Sequence, residues 1–242
     1  MVCTLFGAKA VAVPLAGDAH DLDAMLAAVT DRTRLLFVCN PNNPTGTIVR
    51  KPEFEIFLAK VPEHVLVVVD EAYIEFVTDS HFPDGMAYFD GERPLAVLRT
   101  FSKAYSLAGL RVGYGAMPEP LREAVDKVRE PFNVNAVAQA AAFHSLDDDA
   151  EVARRRTENA EQLAALCAAL DRLGVTYAPS QANFVYFHTA KPAEVFEALL
   201  AEGVIVRQLG PAPALRMTMP APGDTEYVIA ALEAAHAALG GF

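Results

Sequence analysis

The chain is poor in cysteine, in basic residues and in uninterrupted apolar runs, and each shortage excludes a class of protein. Its three cysteines, Cys3, Cys39 and Cys167, are an odd number with no C-x-x-C spacing, so neither a disulfide framework nor a cysteine zinc site is expected. A reducing cytoplasm suits that usage. Lysine and arginine number 20 against 31 acidic residues, a formal net charge of -11. A surface this negative repels phosphate backbones and anionic lipid, so nucleic acid and membrane are not expected partners. No stretch reaches the ~18 apolar residues of a membrane-spanning helix. The opening MVCTLFGAKAVAVPLAGD lacks a basic start and is broken by Lys9, so it does not read as a signal peptide. There is no G-x-x-x-x-G-K-[ST] loop, and Gly113-Tyr114-Gly115 lacks the third glycine of a dinucleotide fingerprint. The six histidines never take the H-E-x-x-H spacing, and no metal site is expected. What remains, 52% apolar and 21% charged over 242 residues, is the composition of a folded protein of one or two domains.

The first part of the chain alternates short apolar runs with amphipathic segments. Arg34 to Cys39, Val65 to Asp70 and Leu95 to Phe101 read as strands, and Pro52 to Lys60 as a helix with proline in its first turn. Runs apolar on both faces predict a parallel sheet covered by helices on each side, joined by right-handed crossovers. Glu119 to Arg129, Asn135 to Leu146 and Asp148 to Leu173 read as helices. Arg154 to Arg156, with Glu151 and Glu158 at helical spacing, read as a solvated face with ion pairs. After Gly174, strands are expected at Val175 to Tyr177, Asn183 to His188, Gly203 to Arg207 and Ala214 to Met219, with helices at Pro192 to Ala201 and Thr225 to Leu239. The expected organisation is therefore α/β, with a larger domain over residues 1–150 and a smaller α+β domain over 151–242 reached through the long helix.

In an open parallel sheet, ligands bind beyond the carboxyl ends of the strands. Here those ends carry Asn43, Asp70 with Tyr73 close behind, and Ser102-Lys103. A carboxylate closing an apolar strand needs a cationic partner, and a desolvated lysine there becomes a nucleophilic amine. Each residue alone also suits a plainer role: Asp70 a helix cap, Tyr73 a core aromatic, Asn43 a turn former.

The strings around them decide more. Thr100-Phe101-Ser102-Lys103-Ala104-Tyr105-Ser106-Leu107-Ala108-Gly109-Leu110-Arg111 resembles the lysine signature of class-II, fold type I pyridoxal-phosphate aminotransferases. Asn42-Asn43-Pro44-Thr45-Gly46 and Asp70-Glu71-Ala72-Tyr73 resemble two further motifs of that superfamily, in the same order. The separations, 27 residues from Asn43 to Asp70 and 33 from Asp70 to Lys103, each suit one βαβ step. Ser180-Gln181-Ala182-Asn183-Phe184 and Gly203-Val204-Ile205-Val206-Arg207 make the chain most similar to histidinol-phosphate and aromatic amino acid aminotransferases. The resemblance implies the aspartate-aminotransferase-like fold, with a mostly parallel sheet and a smaller C-terminal α+β domain. It implies transfer of an amino group between histidinol phosphate or an aromatic amino acid and 2-oxoglutarate/glutamate, in a cytoplasmic homodimer.

By the same resemblance, Lys103 attaches pyridoxal 5'-phosphate and then moves the substrate proton. Asp70 pairs with the pyridine nitrogen, which keeps it protonated and electron-accepting. Asn43 and Tyr73 hydrogen-bond the ring oxygen, and Thr100, Ser102 and Arg111 hold the phosphate, Arg111 as a charged fork. Arg216 binds an anionic group of the substrate; Arg207 is a second candidate for that anion or a surface residue of an edge strand, and Asn183 supports the pocket. In one respect the chain departs from the family: it opens at a point resembling the middle of the large domain. Roughly a third of a usual member, with a phosphate-binding loop and helix N-terminus and an aromatic stacked on the cofactor, has no counterpart here. Weaker cofactor affinity and exposed apolar sheet faces are expected. A related decarboxylase and a catalytically silent fragment are the competing readings. Arg216 argues for transamination, since it holds a carboxylate that a decarboxylase must expel.

Overall fold

The computed structural model describes residues 2–209 and 212–242. Two sheets organise it. The first is four-stranded, in the order β1 (Leu35–Cys39), β2 (Leu66–Asp70), β3 (Leu95–Thr100) and β4 (Gly113–Ala116). The first three strands run parallel, with Cys39 beside Asp70 and Asp70 beside Leu98, while β4 returns antiparallel to β3. Before and between these strands lie α1 (Val2–Leu5), α2 (Leu22–Ala27) and α3 (Lys51–Lys60). Alternation explains the core: Leu36 and Val38, Val67 and Val69, and Leu95 and Val97 share one face, and α3 covers it with Phe54, Phe57 and Leu58. Phe54 and Phe57 are almost wholly buried, each a gain of about 1.5–3 kcal/mol.

Helices α4 (Glu119–Val128) and α5 (Ala136–Ser145) lead into α6 (Asp149–Leu173), whose 25 residues join the two sheets. Asp148 caps α6 by accepting from the Glu151 amide, and Gly174 ends it in the left-handed conformation at φ 70°. The second sheet has the order β5 (Phe184–His188), β7 (Ala214–Thr218) and β6 (Arg207–Gln208), all antiparallel. Its Val185, Phe187, Leu215 and Met217 face α6, α7 (Pro192–Ala201) and α8 (Thr225–Ala238), packing on Leu166, Leu170, Val195, Leu199 and Leu232. The opposite face carries Phe184, Tyr186 and Arg216. Among the described residues, no helix is long and apolar enough to cross a membrane.

Four details differ from the sequence reading. The expectation of helices on both faces fails at β1, where Leu35 and Phe37 are 53% and 56% exposed. Strand β4 was not expected, because two of its four residues are glycine, which weakens any strand signal. Glycine is required at position 113, since a Cβ there would lie 2.8 Å from the Arg99 carbonyl oxygen. Val175 to Tyr177 contributes a single bridge, Tyr177 to Phe187, and of Gly203 to Arg207 only Arg207 joins a ladder. Val204 to Val206 keeps the buried–exposed alternation of a strand but joins no ladder among the described residues.

Candidate active site

The carboxyl ends of β1, β2 and β3 open toward the face of the second sheet that carries Phe184, Tyr186 and Arg216, and expected residues meet there. The Asn40-Pro41 peptide is cis, and the turn after β1 folds back by hydrogen bonds from Asn42 N to Thr47 O at 2.8 Å and from Gly46 N to Asn42 O at 2.6 Å. Asn42 and Thr45 are buried and bonded to each other, so Asn43 is the exposed side chain of this turn. Its Oδ1 accepts from Arg216 Nη1 at 2.7 Å, across 173 residues of sequence. Arg216 lies 4.9 Å over the Phe184 ring, a cation–π distance, and its buried Nε has no hydrogen-bond partner among the described residues.

Asp70 closes β2, and its Oδ1 accepts from the Ala72 amide at 3.1 Å, an Asx turn that leads the chain toward Tyr73.

 Tyr73 is buried, its ring edge-on to Phe184 at 5.1 Å between centroids. Burial raises its phenol above the usual value and the charge of Arg216 opposes that rise, so the hydroxyl stays protonated and able to donate. Burial, helped by the charge of Asp70, pushes the neighbouring Cys39 thiol up to about 11 and keeps it neutral.

Lys103 follows β3 on a tight loop. Ser102 N donates to Thr100 Oγ1 at 3.1 Å, Ser106 N to Lys103 O at 2.9 Å and Leu107 N to Phe101 O at 2.9 Å. The half-buried Lys103 Nζ stands 5.3 Å from the centre of the Tyr73 ring. Ser106 and Arg111 both have positive φ, 57° and 55°, a conformation that costs a non-glycine residue about 1–2 kcal/mol. Arg111 is exposed, and its Nη1 donates to Ala108 O at 2.9 Å. Arg207 is exposed and lies directly across from Arg216 in the β6–β7 ladder, which puts two guanidinium groups on one sheet face. Asn183 is half-buried just before β5, where its carbonyl accepts from Met219 N at 2.9 Å.

The structure thus gathers Asn43, Asp70, Tyr73, Lys103 and Arg216, with Thr100 at the end of β3 and Ser102 on the lysine loop. A carboxylate, a phenol, a carboxamide, an amine, two hydroxyls and the unpartnered Arg216 Nε fit a ring cofactor bearing an aldehyde and a phosphate. Other contributors were not singled out from sequence. Phe184 braces both Tyr73 and Arg216. Arg155 pairs with Glu151 at 2.7 Å, as the spacing suggested, but it also donates to Ala104 O at 2.7 Å and to Ser106 Oγ. The solvated-face reading is therefore corrected for Arg155, which ties α6 to the lysine loop; it holds for Arg154, paired with Glu151 and Glu158.

Behind Tyr73, in the 3-10 turn Ile74–Phe76, Glu75 has a buried Oε2 with no hydrogen-bond partner among the described residues, and burial pushes its carboxyl up to about 6. The folded state then holds a proton that the unfolded state releases above about 4.5, so this residue's contribution to stability falls as pH rises from about 4.5 to 6 and stays lost above. Glu75→Gln is expected to flatten that dependence and to stabilise the fold at pH 7.5 by at most about 2 kcal/mol. Urea unfolding at pH 4.5, 6 and 7.5 measures it; parallel curves for parent and variant would disprove the assignment.

Comparison with known proteins agrees with this geometry. The family model described as "Aminotransferase class I and II" matches residues 1–234. The chain is 48% identical over 234 residues to a histidinol-phosphate aminotransferase of Moorella thermoacetica, covering 94% of this chain and 60% of that protein. It is 46% identical over 248 residues to an aromatic amino acid aminotransferase of Corynebacterium jeikeium, covering 99% of this chain and 66% of that protein. The solved histidinol-phosphate aminotransferase of Sinorhizobium meliloti, in complex with pyridoxal-5'-phosphate, superposes with a TM-score of 0.86 at 29% identity, covering 96% of this chain and 66% of that one. The chain thus spans about six tenths of the length of the first of these relatives.

Proposed function

Because the chain belongs to the aminotransferase class I and II family, we propose that it is a pyridoxal-phosphate-dependent aminotransferase. The amino donor is histidinol phosphate or an aromatic amino acid, and 2-oxoglutarate/glutamate is the second pair. The observation that carries this reading is the meeting of Lys103, Tyr73 and Asp70 at the strand ends with the Asn43–Arg216 pair. The relatives named for both substrates support the choice of donor.

When bound, pyridoxal phosphate supplies an aldehyde for attachment and a protonated ring that accepts electrons from the substrate carbon. Asp70 would hold the proton on the ring nitrogen. Asn43 and the protonated Tyr73 would orient the ring through its oxygen. Thr100, Ser102 and Arg111 would hold the phosphate. Lys103 would carry the covalent attachment and then move the substrate proton through Nζ. Arg216 would hold the substrate's carboxylate or phosphate, with Arg207 adding charge on the same sheet face and Asn183 supporting the pocket. We also propose a division near residue 150 between a cofactor-binding unit and the smaller C-terminal unit. A cytoplasmic homodimer fits the unpaired cysteines and the exposed Val128, Phe132, Val137 and Phe143 on and between α4 and α5.

The test is addition of pyridoxal phosphate, reduction with borohydride and peptide mass mapping. Label at Lys103 together with a visible absorption band is the expected result. Label only at exposed lysines such as Lys51 and Lys60 would overturn the reading in favour of a catalytically silent chain. In the active protein, Arg216→Gln is expected to raise KM for 2-oxoglutarate about 10- to 150-fold with a smaller change in kcat, the effect of losing one charge-assisted contact. An unchanged KM would remove Arg216 from substrate binding.

A further inference from the structure

The segment Ser180 to Phe184 lies between the bridge strand at Tyr177 and β5, and it touches both loops that carry the expected ring contacts. Its main chain meets the Asn43 turn: Gln181 N donates to Gly46 O at 2.8 Å. The approach is close, since a Cβ on Gly46 (φ +77°) would fall 2.1 Å from Ser180 Oγ. Its side chain meets the segment after Tyr73. Gln181 Oε1 accepts from Thr78 N at 2.8 Å, from Asp79 N at 3.0 Å and from Thr78 Oγ1 at 3.2 Å. Neither amide has another protein acceptor among the described residues.

The position of these bonds gives them their consequence. The last rung between the β1 and β2 ends is Asn40 N to Asp70 O at 2.9 Å, and the two chains next meet at Lys51 N to His81 O at 2.8 Å. Between those points, among the described residues, no main-chain hydrogen bond joins the turn holding Asn43 to the segment holding Tyr73. Gln181 spans that gap with one donor and one acceptor. Three residues on, Phe184 packs edge-on to Tyr73 and under Arg216, which in turn holds Asn43.

We propose that Gln181 is a positioning residue that staples the Asn43 turn to the Tyr73 segment, making the C-terminal unit part of the geometry of the cofactor ring site. The proposal deepens the aminotransferase reading and rests on it for the identity of the ring ligand. A neutral carboxamide suits the role, because it accepts three bonds without adding charge beside Asp79. A carboxylate keeps the acceptor, and an apolar residue removes it.

Gln181→Leu and Gln181→Glu separate positioning from simple structure. Gln181 lies outside the hydrophobic core of the C-terminal unit, so both variants are expected to melt close to the parent. In Gln181→Leu, amide hydrogen exchange is expected to accelerate at least tenfold over residues 42–47 and 73–79, with β1 to β3 unchanged. Titration with pyridoxal phosphate is expected to show at least tenfold weaker binding. Gln181→Glu, which keeps the acceptor but sets a second carboxylate beside Asp79, is expected to recover part of both losses. Parental exchange in Gln181→Leu, or a Gln181→Glu variant no better than Gln181→Leu, would overturn the proposal. Failure of the parent itself to bind the cofactor counts against the aminotransferase reading, while the exchange comparison still decides the staple.

Discussion

Exchange of Lys103 for alanine is expected to lower amino-group transfer by about four orders of magnitude, the upper end of what one positioned acid–base group contributes. It removes two roles at once, the nucleophile that attaches the cofactor and the base that moves the substrate proton. The loss should not come from unfolding. Lys103 is half-buried on a loop, and its neighbouring contact is with the face of the Tyr73 ring at 5.3 Å. The loop is closed by main-chain bonds that alanine preserves, Ser106 N to Lys103 O and Leu107 N to Phe101 O. The variant should therefore melt within a few degrees of the parent, bind pyridoxal phosphate without covalent attachment, and give no borohydride-stable label at position 103. Lys51→Ala, on an exposed helix start, is the control and should be unchanged. A Lys103→Ala protein that retains transfer within tenfold of the parent would refute the assignment.

The second large effect concerns stability. Glu71 is completely buried, and Arg99 binds it through Nε at 2.9 Å and Nη2 at 2.8 Å. Gly85 N donates to its other oxygen at 2.6 Å, and Arg99 also reaches Asp84 at 2.6 Å. Burial pushes the Glu71 carboxyl up to about 7, against the opposing pull of the Gly85 amide and Arg99. Arg99→Met strands that carboxylate, and stranding one partner of a buried pair costs about 3–5 kcal/mol. At 2–4 °C per kcal/mol for a chain of this size, the melting temperature should fall by about 6–20 °C. The loss should be smaller at pH 5, where Glu71 is protonated when folded, than at pH 8, where the folded state must keep it charged or take up a proton. Arg99→Met with Glu71→Gln should recover most of the stability, because the amide oxygen still accepts from Gly85 and the only charge that loses its partner, Asp84, is exposed to water. Calorimetry on the three proteins decides it. An Arg99→Met variant melting within about 2 °C of the parent would show that the pair contributes nothing.

Much of this molecule could be read from local sequence. The β1, β2 and β3 runs are short and largely apolar, that of β2 β-branched, and they lead into polar groups, which marks both a strand and the end at which a ligand binds. The Asn43, Asp70–Tyr73 and Lys103 strings are contiguous and stand one crossover apart, so no distant contact was needed to recognise them. Strand β4 escaped because its two glycines carry no side-chain pattern, and its existence depends on pairing with β3. The exposed apolar sheet face that the resemblance implied is found on β1, at Leu35 and Phe37, although the strand string itself does not say what covers it. Local spacing gives Arg155 a partner in Glu151, one turn away, and so points it to solvent, whereas the fold brings Ala104 and Ser106 within its reach.

By itself, the sequence determined the strand-and-helix alternation, the residue types at the strand ends and the family, because each depends on neighbours within a few positions. Only the tertiary structure decided which side chains meet: Arg216 with Asn43 across 173 residues, Gln181 with Thr78 across 103, and Glu71 with Arg99 across 28. Such contacts depend on the register of neighbouring strands and on how the strand-end loops of one sheet meet the other sheet, and no longer on a residue's place in the chain.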